Sequence, residues 1–250
     1  TPLAQMNLAE VANLDEDGLL PKRGWLCFFY ALDLKPAVRG WTPTDRTAWR
    51  VVHFTGEAEK LEHTEPPATT DTAATEFRSC CVRFWKEWTL PAPAEEPGLL
   101  AGDATAFGYA DLCEALAGRP DEPGWHHLLG HAQNVGGFMR QICQLASNGV
   151  EFREDMDPGE PQVQELLADA PEWRLLLQID LAALRRADVA DPETGLSGFF
   201  CADRLYFWIR EADLRDKKFE RVWVVRQGSF EFDDDSGPNG DSADTEAAGD

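Results

Sequence analysis

The sequence lacks any run of about 18 apolar residues, the length that a helix needs to cross the hydrocarbon core of a bilayer. It also lacks a charged segment followed by an apolar stretch at its start, the pattern of a secretion signal. We therefore predict no membrane partner. With 250 residues, of which 43% are hydrophobic and 27% charged, the composition is that of a globular protein.

Basic residues are scarce, since 23 Lys and Arg stand against 45 Asp and Glu and give a formal net charge of −22. Nucleic-acid binding depends on Lys and Arg that displace counterions from phosphates, so we predict no nucleic-acid partner. An acidic surface accelerates the encounter with basic molecules, and we expect a basic protein partner. Residues 231–250 contain eight acidic residues and no Lys or Arg, which predicts a disordered acidic tail after a single domain over residues 1–230.

No Cys-x-x-Cys pair occurs among the six cysteines, which are Cys27, Cys80, Cys81, Cys113, Cys143 and Cys201. Scattered cysteines of this kind are not the framework of a small secreted protein. The adjacent Cys80 and Cys81 suit neither an ordinary disulfide nor a metal chelate. We predict that all six are reduced and that the protein is cytoplasmic.

Common enzyme motifs are also absent: there is no Gly-x-Ser-x-Gly elbow, no Gly-rich dinucleotide motif and no phosphate-binding loop with its lysine. We predict no catalytic residue and no cofactor. His127 and His131 have a spacing that binds zinc on a helix, but neighbouring glycines oppose a helix and no Glu follows His127, so we predict no metal. We interpret these residues and His126 as loop histidines, with ligand contact and a metal site as the alternatives. Gly136-Gly137 forms a close turn or offers backbone N–H groups to an anion.

Apolar and aromatic-rich runs predict β-strands over residues 3–8, 25–32, 49–54, 77–90, 173–181, 205–209 and 222–226. Capping residues and helical spacing predict short helices over residues 103–117, 138–147, 161–168 and 211–219. These patterns together predict an α+β fold with mixed or antiparallel sheets and a few short helices.

The strand-forming runs of the two ends follow one another in the same order. Leu3–Leu8, Trp25–Tyr30 and Trp49–Val52 correspond to Leu176–Leu181, Leu205–Trp208 and Arg221–Val224. Gln5 and Val51 are 46 residues apart, and so are Gln178 and Val224. We interpret this spacing as an internal duplication that gives two sheet halves, while the alternative is that β-rich domains reuse similar strands.

The first strand of each half carries two polar residues on one face, namely Gln5 and Asn7 in the first half and Gln178 and Asp180 in the second. Polar side chains inside an apolar strand need hydrogen-bond partners when they are buried. Either they tie the strands to neighbouring loops, or the two pairs line a groove between the halves. In the second case the ligand-binding residues are Gln5, Asn7, His131, Gln178 and Asp180.

The same runs resemble the YwqG-like family, a bacterial family without an established reaction. The resemblance lies in Pro2–Leu8, Gly24–Tyr30, Leu128–His131, Leu176–Asp180, Arg204–Ile209 and Trp223–Gln227. It implies an α+β fold and gives no catalytic residue. The Gly-Gly-x-Pro-x-Leu-Pro segment that usually opens the family is absent before Pro2, and we expect it to lie upstream of this sequence.

Two functional hypotheses follow. The first is a cytoplasmic, non-enzymatic protein-interaction module, for example an immunity protein whose acidic surface masks a basic nuclease toxin. The second is an enzyme or small-ligand-binding protein that uses the groove between the halves. The sequence predicts no oligomeric state.

Overall fold

The first three strands form an antiparallel sheet in the order β1-β2-β3, with β1 at Pro2–Asn7, β2 at Trp25–Tyr30 and β3 at Trp49–Phe54. Alternation of side chains explains the sheet: Leu26, Phe28 and Tyr30 of β2 are buried on one face, whereas Phe29 is exposed on the other. The computed structural model describes residues 1–56 except 33 and 35, 80–96 except 94, 126–184 except 182, and 203–228, with scattered positions between 60 and 116.

A second antiparallel sheet has the order β4-β5-β6-β7. Its strands are β4 (His127–Leu128), β5 (Trp173–Asp180), β6 (Asp203–Arg210) and β7 (Trp223–Gly228). In β5 every residue except Arg174 is buried. A strand of this kind reads as a continuous apolar run because both of its faces are covered.

The described helices are short: α1 (Leu8–Val11), α2 (Met139–Ser147), α3 (Pro161–Leu167) and α4 (Glu211–Arg215). The longest of them, α2, buries Ile142 and Leu145 and ends before Gly149, whose φ of 88° suits glycine at a helix C-terminus. Short 3₁₀-helices precede β3, β5 and β7, with six residues before β3 and three before each of the others. Within the residues that the structure describes, no helix is long and apolar enough to cross a membrane.

Aromatic side chains connect the two sheets. Phe28 and Phe207 pack edge to face with centroids 5.1 Å apart, and Trp49 and Trp223 do the same at 5.1 Å. The indole N–H of Trp49 donates to the Val222 carbonyl at 3.0 Å. One hydrophobic core therefore includes residues from both sheets.

The last residue of β1 and the last residue of β5 have similar roles. Asn7 Oδ1 accepts from the Ala9 N–H at 3.2 Å, and Asp180 Oδ1 accepts from the Ala183 N–H at 2.9 Å. Residues 8 and 181, which come next, are helical. Both side chains therefore satisfy a free backbone N–H where the chain turns from strand to helix.

The predicted α+β fold with two sheet halves is confirmed, and both described sheets are antiparallel rather than mixed. The strand predicted over residues 77–90 is wrong for its described part, because residues 80–90 have no regular secondary structure. Val82, Trp85 and Trp88 are exposed there, so the segment has no buried apolar face to hold a strand in a sheet. The predicted disordered tail, residues 231–250, lies outside the described residues.

The helix predicted over residues 211–219 is also too long. It ends at Arg215, and Lys217 adopts a left-handed φ of 61° before a short 3₁₀ turn at Phe219–Arg221. The described positions of the predicted helix 103–117, between 108 and 116, are helical.

Candidate functional site

Residues 131–138, which we call the anchored loop, connect β4 to α2 and contain His131. The backbone of Gln133 is held on both sides by side chains of the second sheet. Gln178 of β5 accepts from its N–H at 2.9 Å, while its carbonyl accepts from the Tyr206 hydroxyl at 2.6 Å and from Arg204 Nη1 at 3.2 Å. The position of Gln133 is thus fixed by β5 and β6.

Gln227 of β7 holds the next part of the anchored loop. Its buried amide oxygen accepts from the N–H groups of Val135 (3.1 Å) and Gly136 (3.0 Å), and its amide nitrogen donates to the Gly137 carbonyl at 2.9 Å. The Gly137 N–H donates to Asn134 Oδ1. Three strands of one sheet therefore position a loop that has no regular structure of its own.

The start of α2 is capped by Glu95, which comes from a distant part of the chain. Its Oε1 accepts from the Met139 N–H at 2.8 Å and from Asn134 Nδ2 at 2.9 Å, and its Oε2 lies 3.4 Å from Arg140 Nε. Burial raises the pKa of Glu95, against the lowering effect of these donors. A negative side chain at a helix N-terminus is a stabilising arrangement.

These hydrogen bonds occupy the backbone N–H groups of the Gly136-Gly137 segment. Its backbone N–H groups donate to Gln227 and Asn134, and the first N–H groups of α2 donate to Glu95. The protein's own side chains thus take the place that an external anion would occupy. The close-turn interpretation agrees with this geometry.

A cleft of about 220 Å³ lies between residues 87–93 and the anchored loop. Its apolar wall includes Trp88, Leu90, Pro91, Pro93 and Leu116, and its polar lining is Glu87, Thr89, His127, His131, Gln133 and Asn134. The Thr89 hydroxyl accepts from the His131 N–H at 2.9 Å and so joins the two walls. The volume lies below about 300–1,000 Å³, the range of sites for drug-sized ligands.

A smaller recess of about 30 Å³ shares Pro91, Ala92, His131 and Ala132 with the cleft. It is lined by Trp208, whose buried indole N–H has no hydrogen-bond partner among the described residues. Arg140 also lines the recess, where it pairs with Glu95 and Glu96. The charge of Arg140 is therefore already matched by two carboxylates.

Gln133 carries a second unsatisfied group. Its side-chain oxygen Oε1 is buried and accepts no hydrogen bond from the described residues, although its residue lines the cleft. A buried acceptor without a donor costs about 1–3 kcal/mol. Three hydrogen bonds fix the backbone that carries this side chain.

The cleft histidines lose charge by burial. Burial lowers the pKa of His127 despite its contact with the Glu87 carboxylate, and burial lowers the pKa of His131 beside Arg140. Both imidazoles are therefore neutral at pH 7, and the charge left on the described cleft lining is the Glu87 carboxylate. The described residues contain no group of three His, Cys, Asp or Glu side chains placed to hold a metal ion.

Comparison with known families adds one finding. The model of a family described as a domain of unknown function, DUF1963, matches residues 2–227. The chain belongs to this family. No curated protein matches it.

In this DUF1963 chain, the five residues that the sequence proposes for a groove have different surroundings. His131 lines the cleft, and Gln178 supports the loop behind it from a fully buried position. Asp180 is buried and caps the helical turn after β5. Asn7 does the same after β1, and Gln5 is exposed on β1. The described side-chain hydrogen bonds of Asn7 thus join it to α1, and neither Asn7 nor Gln5 lines the cleft.

Several residues of the cleft carry no signal in the sequence. Glu87 and Trp88 stand in a segment predicted as a strand and Gln133 in a loop, and the residues that they meet at the cleft lie far away along the chain. Gln227 follows the predicted strand 222–226, and nothing in the sequence indicates its bonds to residues 135–137. The two glutamines Gln178 and Gln227, each in or next to an apolar strand, are the signal that comes nearest to locating the anchored loop.

The described surface also includes a strongly acidic segment, residues 151–172, which we call the acidic surface. It exposes eight carboxylates and one cation, Arg153. Arg153 lies 3.6 Å from Asp155, and Glu172 lies 3.8 Å from Arg210. Within the described part of the chain the other six have no ion-pair partner: Glu151, Glu154, Asp157, Glu160, Glu165 and Asp169.

Proposed function

We propose that this DUF1963 protein is a non-enzymatic interaction module that binds a basic protein. The observation that carries the proposal is the acidic surface, where six exposed carboxylates form no ion pair with any described residue. Like charges at this density repel one another, and a basic partner relieves that repulsion on binding. The net charge of −22 also attracts a basic partner at long range.

One form of this module is an immunity protein that covers the basic surface of a nuclease toxin. Such a toxin needs Lys and Arg to bind the phosphates of its substrate. An acidic protein that covers these residues therefore blocks nucleic-acid binding. Proteins encoded beside this chain with a strong excess of Lys and Arg are therefore the first partners to test.

The test compares two variants with the same change in charge. The first replaces three carboxylates of the acidic surface, Glu151→Lys, Glu154→Lys and Glu165→Lys. The control replaces three exposed acids elsewhere, Asp17→Lys, Glu62→Lys and Glu220→Lys. We expect the first variant to weaken binding to the basic partner at least tenfold and the control to weaken it less than threefold, with wild-type affinity falling as salt rises. Equal losses in both variants, or no binding to any neighbouring basic product, would contradict the proposal.

A second candidate function is supported by the cleft. An apolar wall with several polar groups beside it, in a cleft of about 220 Å³, resembles a small-ligand site or an enzyme site. A screen of metabolites by thermal shift tests it, because a ligand that binds only the folded state raises the melting temperature. A stabilising compound whose effect vanishes in the cleft variant Trp88→Ala would favour this function.

We also propose that the protein is a bacterial, cytoplasmic member of the YwqG-like group and that its halves arose by duplication. Supporting this, both halves contain three strands, with a helical turn after the first strand and a 3₁₀-helix before the third, and the second half adds α4 after its second strand. The five cysteines within the described residues are free, which is usual in a reducing compartment. Reaction of the native protein with a thiol reagent under non-reducing extraction checks the redox state, and detection of a disulfide would oppose it.

A further inference from the structure

We propose that the cleft between residues 87–93 and the anchored loop receives a basic side chain, an alkylguanidinium or alkylammonium group, of the partner protein. The inference rests on the proposed function and adds a second point of contact to it. It is carried by three features of the cleft: an acceptor that lacks a donor, a negative charge, and an exposed aromatic ring beside an apolar wall.

The acceptor is Gln133 Oε1. It is buried at the cleft wall without a hydrogen bond, and the backbone that carries it is held by Gln178, Arg204 and Tyr206. A fixed acceptor of this kind selects an occupant that brings an N–H or O–H donor. Guanidinium and ammonium groups carry only donors, so every polar atom they present matches the site.

The charge of the cleft favours a cation over a neutral donor. Glu87 lines it, and no Lys or Arg belongs to its described lining. His127 lies against Glu87, but its imidazole is neutral at pH 7 and leaves the carboxylate charge in place. Arg204 approaches from behind the loop, where its guanidinium donates to the Gln133 carbonyl. The cation therefore enters a site whose open side is negative.

The ring is Trp88, which is 82% exposed at the cleft. Exposing a large apolar side chain to water is unfavourable. The face of the Trp88 ring attracts a cation, and such a cation–π interaction contributes about 0.5–1 kcal/mol at an exposed site. Leu90, Pro91, Pro93 and Leu116 supply an apolar wall for the methylene groups of a Lys or Arg side chain. The arrangement of ring, wall and acceptor thus fits each part of such a side chain.

The direct test uses n-butylguanidinium, n-butylammonium and the neutral isostere n-butylurea as probes, without a partner protein. Binding is followed by the NMR signals of the tryptophan indole N–H groups, with Trp88→Ala identifying the Trp88 signal. We expect the two cations to shift the Trp88 signal and to bind at least tenfold more tightly than n-butylurea. Equal binding of n-butylurea, or no shift of the Trp88 signal by either cation, would overturn the inference.

Two variants test the contacts. Gln133→Leu removes the acceptor and keeps the backbone bonds, so we expect at least fivefold weaker n-butylguanidinium binding with an unchanged or higher melting temperature. Gln162→Leu, an exposed glutamine on α3, is the matched control and should leave probe binding unchanged. If Gln133→Leu and Trp88→Ala both bind the probe like the wild type, the cleft is not its site and the inference is wrong.

The same variants separate this inference from the proposed function. Lysine substitutions in the acidic surface should weaken binding of the partner protein but leave the affinity for the probe within twofold of the wild-type value. Trp88→Ala should weaken binding of both the partner protein and the probe. If Trp88→Ala lost the probe and kept full affinity for the basic protein, a small cation rather than a partner side chain would occupy the cleft. That result would overturn the present inference and leave the proposed function standing.

Discussion

At the scale of single residues, Gln5 and Gln178 occupy matching positions on the first strand of each half but have opposite environments. Gln5 is exposed, whereas Gln178 is fully buried and accepts from the Gln133 N–H. The sequence shows the same residue type with the same alternation, and so it cannot tell which of the two is buried. Only the packing of the anchored loop against β5 makes the difference.

We expect Gln178→Ala to lower the free energy of unfolding by about 2–4 kcal/mol, because it leaves a cavity and removes the acceptor for a buried N–H. Gln5→Ala, which removes an exposed side chain, should change it by less than about 0.5 kcal/mol. Urea unfolding of the two variants and the wild type measures both effects. Similar values for the two variants would contradict the assignment of Gln178 to the support of the loop.

His127 makes stability depend on pH. Burial lowers the pKa of His127 in the folded protein below its ordinary value of 6.5. Below that pH, His127 binds a proton in the unfolded chain while it is still neutral in the folded protein. The free energy of unfolding should therefore fall as the pH drops below about 6.5. Urea unfolding between pH 7.5 and 5.5 checks this, and His127→Gln should lose less stability than the wild type over the range. Parallel curves for the two proteins would show that another group is responsible.

At the scale of elements, the turn between β4 and the anchored loop depends on a glycine. Leu129 and Gly130 both have positive φ, 63° and 75°, and a Cβ on Gly130 would lie 2.6 Å from Thr89 Oγ1. The same Thr89 hydroxyl accepts from the His131 N–H and joins the walls of the cleft. A side chain at position 130 would therefore disturb the backbone and the cleft together.

Gly18 provides the matched comparison. Its φ of 63° is also positive, but a Cβ at this position would have no atom within 4 Å. Gly18→Ala should cost about 1–2 kcal/mol through its left-handed backbone alone. Gly130→Ala should cost at least about 1 kcal/mol more because of the contact with Thr89. Thermal unfolding measures the difference, and Thr89→Ala combined with Gly130→Ala should recover part of it. Equal costs for the two glycines would mean that the contact is unimportant.

At the scale of the whole molecule, a net charge of −22 stores repulsion in the folded state. Salt screens it, since the Debye length falls from about 30 Å at 0.01 M to about 8 Å at 0.15 M. We expect the melting temperature to rise by about 2–4 °C over this range, which corresponds to about 1 kcal/mol. The triple variant Glu151→Lys, Glu154→Lys and Glu165→Lys should show a smaller rise. A melting temperature that falls with added salt would contradict this picture.

The sequence predicts the sheets better than the cleft, for a physical reason. Alternation along Trp25–Tyr30 and the nearly continuous apolar run of Trp173–Asp180 both report burial within one strand, so β2 and β5 could be predicted from local pattern. The cleft depends instead on pairs such as Glu95 with Met139 or Gln227 with Val135, which lie 44 and 92 residues apart. No local pattern carries such pairs. His131 was predicted because of its motif, while Gln133, two residues later, could not be.

The anchored loop takes its shape from Gln178, Tyr206 and Gln227, all of which follow it in the sequence by 45 to 92 residues. During synthesis the ribosome makes the loop first and its supports later. A nascent chain that ends before residue 227 therefore contains the residues of the loop but lacks the side chain that holds residues 135–137. The cleft is incomplete in such a chain. The partner binding that we propose for this cleft therefore requires that β7 has been translated.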